Sequence, residues 1–236
     1  MLCVTIHGIT VNGFGAHHVA TSISSHEQQE GYPMRRADYT FLVKSDLHRY
    51  AGRTTLSAFL YSMIRNAGFK YSFWMRTCFY LRQHRFFRHS LFFLARVILE
   101  HYEYKYGISI PDQTSIGSGF YIGHFGGIVV NGMSTIGKNC NISQGVTLGQ
   151  SNRGTNKGYP TIGDNVYIGP GAKIVGKVRV GNNVAVGANC VVTKDVPDHA
   201  VVVGIPAKVI SFQGSDGYVN NIDYEMTLAG IPTTTA

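Results

Sequence analysis

Charge is scarce in this chain. Asp, Glu, Lys and Arg make up only 14% of its 236 residues, while apolar residues make up 44%. That balance excludes a wholly disordered polyelectrolyte and allows a packed core. Cysteine is scarce and unpaired: Cys3, Cys78, Cys140 and Cys190 lie far apart, with no CxxC pair among them. Their spacing argues for reduced thiols in a cytoplasmic protein rather than a disulfide framework. Met1 to Ala16 lacks the basic start and cleavage site of a secretory leader. The most apolar run, Leu91 to Leu99, is too short to span a bilayer and contains Arg96. A soluble protein, at most peripheral to a membrane, is the expectation. The formal charge of +8 suits a polyanionic ligand, a nucleic acid or an acidic surface. No arginine-rich run or nucleic-acid motif accompanies it, so no nucleic-acid partner is expected.

The abundant residues divide the chain. Residues 1–38 are polar, rich in His, Ser and Gly, and without helical or strand period, which predicts a poorly ordered segment. Structured sequence starts near Met34, a candidate natural initiator. Residues 39–107 carry large apolar side chains at three- and four-residue intervals and predict three or four packed helices. Thr54 and Thr55 are candidate N-caps before "LSAFLYSMIRNA", with Gly68 as a stop, and the helical pattern ends at Gly107. Aromatics interleave there with Arg76, Arg82, Arg85 and Arg88. Burial in a core is the preferred reading of that stripe, with a membrane surface as the alternative.

After Gly107 the period changes to six. Ile110, Ile116, Ile122, Ile128, Ile136, Ile142, Leu148, Ile162, Ile168, Ile174, Val180, Val186 and Val192 recur, mostly followed by a small residue. Two extra residues interrupt the count before Ile136, and eight more separate Leu148 from Ile162. Neither a helix nor a hairpin ladder has this period. A parallel β-helix does, with three hexapeptides to each triangular coil and the aliphatic residues stacked inside. Thirteen sites give about four coils over residues 108–210, followed by a tail over residues 211–236.

The segments "IGSGFYIGHFGGIVVNGMSTIGKNCNISQGVTLG", "YPTIGDNVYIGPGAKIVGKVRVGNNVAVGANCVVTKDVP" and "VVVGIPAKVI" resemble the hexapeptide-repeat acyltransferases, within them the serine O-acetyltransferase branch. The resemblance implies left-handed coils, against the usual right-handed rule for parallel crossovers. It also implies an N-terminal helical domain, a homotrimer that in some relatives pairs into a dimer of trimers, and active sites between prisms. Acetyl-CoA would be the co-substrate, and no metal is needed.

Acetyl transfer to a hydroxyl needs a base, donors for an oxyanion and a groove for the CoA arm. Histidine is suited to the first task. His124, in "YIGHFGGIVV", aligns with the catalytic histidine of the family. By the same alignment Gly149, Gln150, Gly169, Pro170, Gly187 and Ala188 line the pantetheine channel, and Lys194 and Lys208 lie near the CoA phosphates. Corner geometry alone would equally explain the glycines, and solvation the lysines. The insertion "QSNRGTNKGYP" predicts an extruded loop, with Arg153 and Lys157 as candidate anion ligands.

The acceptor side departs from serine acetyltransferases. Gly123 replaces the acidic residue before the histidine, Ser109 stands for the supporting aspartate, and Gly158-Tyr159 replaces an Arg-His pair. Asp112 lies close to Ser109 but shifted. Asp46, in "SDLHRY", echoes an acidic position of the helical part. Unpaired charges in a cleft are costly, so a site of Ser109, Gly123 and Tyr159 fits a sugar hydroxyl of a surface polysaccharide or its precursor. Serine acetylation for cysteine synthesis is the alternative, and a non-catalytic β-helix scaffold the third reading. A zinc-dependent hydratase is excluded because His124 is the lone histidine within the thirteen repeat sites, His199 lying past Val192.

Overall fold

The computed structural model describes residues 33–84 and 90–229. The expectations for residues 1–32, for Arg85 and Arg88, and for the last seven residues lie outside this range. Four helices come first: α1 (Arg36–Ala51), α2 (Leu56–Arg65), α3 (Ala67–Gln83) and α4 (Leu91–Tyr106). Thr55 caps α2, its Oγ1 accepting from the Ala58 N–H. Gly68 is not the stop. Helix α2 ends at Asn66, and Gly68 lies in the first turn of α3, where a Cβ would sit 2.3 Å from the Ile122 carbonyl oxygen. Its smallness serves helix-to-strand approach. Gly107 closes α4 in the left-handed conformation, φ 61°.

Short strands then wind into coils. The first holds β1 (Ile108–Ser109), β2 (Ser115–Ile116) and β3 (Tyr121–Ile122), the second β4 (Ile128–Val130), β5 (Thr135–Ile136) and β6 (Asn141–Ile142). The third holds β7 (Thr147–Gly149), β8 (Thr161–Ile162) and β9 (Tyr167–Ile168), the fourth β10 (Lys173–Val175), β11 (Arg179–Val180) and β12 (Ala185–Val186). β13 (Val191–Val192), β14 (Val201–Val203) and β15 (Lys208–Ser211) finish the stack, and a short α5 (Tyr224–Leu228) follows. Three sheets form the faces: β1-β4-β7-β10-β13, β2-β5-β8-β11, and β3-β6-β9-β12-β14, the last extended by antiparallel β15.

The repeat residues stack in register, as in Ile116, Ile136, Ile162 and Val180 on one face and Ile122, Ile142, Ile168, Val186 and Val202 on another. All are buried, each contributing on the order of 1.5–3 kcal/mol. On the remaining face the register corrects the count made from sequence. Ile128 pairs with Ile108, whereas Val130 pairs with Leu148. The two extra residues therefore lie between Ile122 and Val130, not before Ile136. They lengthen the corner that carries His124.

The first coil has an open edge, and an open edge needs partners for its backbone groups. The helices supply them with side chains. The Tyr71 hydroxyl donates to Ile110 O and accepts from Ile110 N, and Tyr50 does the same at Ile122. Arg76 donates from Nη1 to Ile116 O and from Nη2 to Gly117 O at 2.7 and 2.6 Å, while Nε and the same Nη2 hold the two carboxylate oxygens of Asp46. Asp46 also accepts from Phe120 N at 2.8 Å. Burial pushes the Asp46 carboxyl up, and the Arg76 guanidinium beside it pulls it back.

Beyond β15 the chain turns back along the prism. Ser215 N–H donates to Asn183 O in the fourth coil, and its hydroxyl donates to Asn165 O in the third. Tyr218 stacks on Tyr167 at 4.5 Å and accepts from Asn141 Nδ2 of the second coil. Tyr224 reaches Ser118 in the first coil, and Asp223 meets His48 Nε2 of α1 at 2.9 Å. The tail is thus a strap spanning the prism.

Candidate active site

His124 sits on the lengthened corner between β3 and β4. Its side chain is exposed and makes no hydrogen bond to any described residue. Gly123 N–H donates to Ile142 O and anchors the corner's start, and Ile128 N–H donates to Gly107 O and anchors its end. Between these anchors, the N–H groups of His124, Phe125, Gly126 and Gly127 donate to no carbonyl among the described residues. A hexapeptide corner of ordinary length has no room for such a stretch. Gly126 and Gly127 have φ of 110° and 64°, backbone that side chains rarely adopt. Two glycines here let the chain bulge outward and leave four donors beside an imidazole. Phe125 packs against Tyr106 at 5.2 Å between ring centroids, fixing the bulge to the end of α4.

The corner row below His124 is built from the same geometry, coil after coil. Gly145 N–H donates to Gly126 O, Gly171 N–H to Gln144 O, and Asn189 N–H to Pro170 O. The structure thus aligns His124, Gly169, Pro170, Gly187 and Ala188 along one prism edge. Close stacking accounts for two of those glycines: a Cβ at Gly169 would lie 2.8 Å from Val186 O, and one at Gly187 2.8 Å from a Val203 methyl. Ala188 is exposed, and its N–H has no backbone acceptor among the described residues. It is an open partner for an amide-bearing arm.

Other expected residues lie elsewhere. Gly149, Gln150 and Tyr159 stand at the corner between β7 and β8, and Lys194 lies past β13 on the same side of the prism. Lys208 starts β15. Within one chain these positions do not join His124. Tyr159 borders a cleft of about 650 Å³ with Thr155, Asn156, Lys177 and Arg179. The insertion leaves the coil as an exposed hairpin whose tip is tied to the next coil and to Thr193. Ser151 and Gly158 pair as a hairpin, Asn156 O accepts from Lys177 N, and Asn156 Nδ2 donates to Thr193 O. Arg153 and Lys157 remain exposed on it.

At two expected acceptor-site positions the carboxylate is already engaged within the chain. Asp46 is buried, with both carboxylate oxygens held by Arg76 and Phe120 N–H, so it joins the helices to the first coil. Asp112 is buried at the β1–β2 turn and pairs with Arg82 at 2.7 and 2.9 Å. Neither carboxylate is free for an acceptor. Ser109 is exposed on β1, paired in register with Val129 of β4, the strand that follows the His124 corner. The glycines after His124 already implied an open backbone with a main-chain N–H turned to an oxyanion, and the structure places four such N–H groups there without a carbonyl partner among the described residues. Among the described residues no group of three His, Cys, Asp or Glu side chains is placed to hold a metal, and no helix is long and apolar enough to cross a membrane.

Comparison with known proteins agrees with this architecture. The bacterial transferase hexapeptide family (six repeats) matches residues 159–194. A serine acetyltransferase of Bacillus pumilus is 42% identical over 131 residues, 56% of this chain and 60% of that protein. One from Staphylococcus aureus strain Mu50 is 38% identical over 135 residues, 57% of this chain and 63% of that protein. The chain thus spans about three fifths of the length of these curated relatives. Among solved structures, Neisseria gonorrhoeae serine acetyltransferase in complex with serine aligns with a TM-score of 0.60 and 30% identity, covering 75% of this chain and 70% of that one. Serine acetyltransferase from Brucella abortus strain S19 in complex with coenzyme A gives 0.61 and 26%, covering 75% and 69%. The coils are those of a left-handed parallel β-helix.

Proposed function

Because this chain belongs to the hexapeptide-repeat acyltransferases, in their serine acetyltransferase-like branch, we propose that it transfers an acetyl group from acetyl-CoA to a hydroxyl. The observation that carries this reading is the lengthened corner: an exposed imidazole beside four backbone N–H groups with no carbonyl partner among the described residues. A nitrogen of His124 takes the hydroxyl proton as the oxygen attacks the thioester carbon. Negative charge then grows on the former carbonyl oxygen, and the free amides of the His124–Gly127 corner are its donors. The carbon–sulfur bond breaks, the thiolate leaves, and it takes the proton back from the imidazolium. The edge through Gly169, Pro170, Gly187 and Ala188 carries the pantetheine arm, with the Ala188 N–H as one partner.

Tyr159 and its cleft stand at a different prism edge from His124. A site using both draws them from two copies, which supports a homotrimer with sites between prisms. Serine is the acceptor with the better support, because the relatives are serine acetyltransferases and one solved neighbour is in complex with serine. The expected sugar acceptor finds no support among them. One observation keeps it as the second reading: Ser109, Gly123 and Tyr159 offer no charge, and Asp46 and Asp112 are already paired.

Release of CoA from acetyl-CoA, followed with a thiol reagent, tests both levels. Turnover with L-serine is expected, and turnover with sugars or nucleotide sugars alone would move the acceptor to the second reading. His124→Ala should abolish transfer while the solution mass stays unchanged. Retained turnover in that variant would remove the proposed base.

A further inference from the structure

Helix α2 is apolar on both sides but buried on one. Its inner side, through Ala58 and Phe59, packs on α3, with Phe59 5.8 and 5.4 Å from the rings of Phe69 and Phe73. Its outer side presents Leu56, Leu60, Tyr61 and Ile64 at 73%, 53%, 62% and 71% exposure. Leu56, Leu60 and Ile64 follow the i, i+4, i+8 spacing of a single helix face. A contiguous exposed apolar row of this kind marks a surface that meets a partner or a membrane, and no described residue covers it. Core packing, preferred from the sequence for the aromatic stripe, holds for the inner side of α3 but leaves this surface open.

Charge selects the cover. Arg53 precedes α2 and Arg65 ends it, both exposed. Between Asp46 and Glu100 the chain contains nine Lys or Arg residues and no acidic residue at all. Two copies meeting through this face would set Arg53 and Arg65 against their own equivalents, and α2 itself carries no carboxylate to separate them. Like charges so placed oppose association. A surface that is apolar inside and anionic at its boundary meets both requirements.

We propose that α2 docks this protein on an anionic lipid bilayer. Leu56, Leu60 and Ile64 enter the boundary between headgroups and acyl chains, and Arg53 and Arg65 meet the lipid phosphates. The inference is independent of the acetyl-transfer reading. It places the enzyme at a surface although no helix among the described residues is long and apolar enough to cross a membrane.

The test is flotation of the full chain with vesicles of phosphatidylglycerol and phosphatidylcholine, against pure phosphatidylcholine. Binding to the anionic vesicles is expected, weakened by salt. Leu60→Glu with Ile64→Glu should weaken it by about tenfold or more, and Arg53→Gln with Arg65→Gln by about tenfold or more. All four positions are exposed, so the variants should keep the parent's circular dichroism. The proposal is overturned if anionic vesicles fail to bind the parent chain, or if neutral ones bind it equally. It is also overturned if the Leu60→Glu, Ile64→Glu variant loses solution mass by light scattering without vesicles, since copies of the chain would then be what covers α2.

Discussion

Replacing Asp46 by Asn separates two roles for that carboxylate. In the structure it is a clamp: Arg76 joins it to the edge of the first coil through Ile116 O and Gly117 O, and Phe120 N–H completes its shell. The amide keeps an acceptor for Phe120 but leaves the buried guanidinium without its counter-charge. Breaking a buried ion pair from one side costs about 3–5 kcal/mol. The two carbonyl bonds kept by Arg76 set this variant at the lower bound, about 3 kcal/mol. For a chain of this size that lowers the thermal midpoint by about 6–12 °C. Asp46→Leu with Arg76→Met removes both charges together and should be more stable than the sum of the single losses, by about 1 kcal/mol or more. Thermal unfolding by circular dichroism reads the stability, and CoA release at varied acceptor concentration reads the site. Asp46→Asn should melt early with its acceptor KM unchanged. An unaltered midpoint with a raised acceptor KM would refute the clamp and return Asp46 to the acceptor site.

Further outcomes follow from other contacts. Burial pushes the Cys78 and Cys140 thiols up to about 12 and raises Cys190 too, so none of the three should be alkylated at pH 8 until denaturant is added, as peptide mass mapping would show. Gly137→Ala should lower the midpoint markedly, because its Cβ would stand 2.5 Å from the Gly163 carbonyl oxygen on a stacked coil. The hydrogen bond from His48 holds the Asp223 carboxyl below its usual value. Its stabilisation is present above the unfolded carboxylate value, about 3.9, and is lost as pH falls through the lower folded value. Asp223→Asn should therefore reduce the thermal midpoint at pH 7, and the difference from the parent should shrink as pH drops below about 3.9.

The six-residue period made the β-helix legible because each inward position repeats a residue type that nothing else in the coil requires. The same period misplaced the two-residue insertion. Strand β4 turns both Ile128 and Val130 inward, with Val129 between them outward. Two aliphatic residues compete there for one place in the count, and only pairing with Ile108 and Leu148 assigns them. His124 and an open main-chain N–H beside it were legible through the glycine-rich motif, whereas the length of the free stretch was not, since it follows from where the insertion falls. The ion pairs of Asp46 and Asp112 were illegible for a related reason. Their partners, Arg76 and Arg82, lie 30 residues away in each case, and no local pattern links them. Gly68 looked like a helix stop because breakers and close-approach glycines are the same letter.

The strap from Ser211 to α5 changes how this prism comes apart. A solenoid whose repeats touch only their neighbours unfolds as a one-dimensional array, fraying from whichever end is weaker. Here the last segment is fastened to the fourth, third, second and first coils in turn and then to α1. The final coil cannot peel away without releasing contacts at the opposite end. The array is thereby joined head to tail, and loss of the strap should convert one cooperative transition into a graded one that starts at β14 and β15.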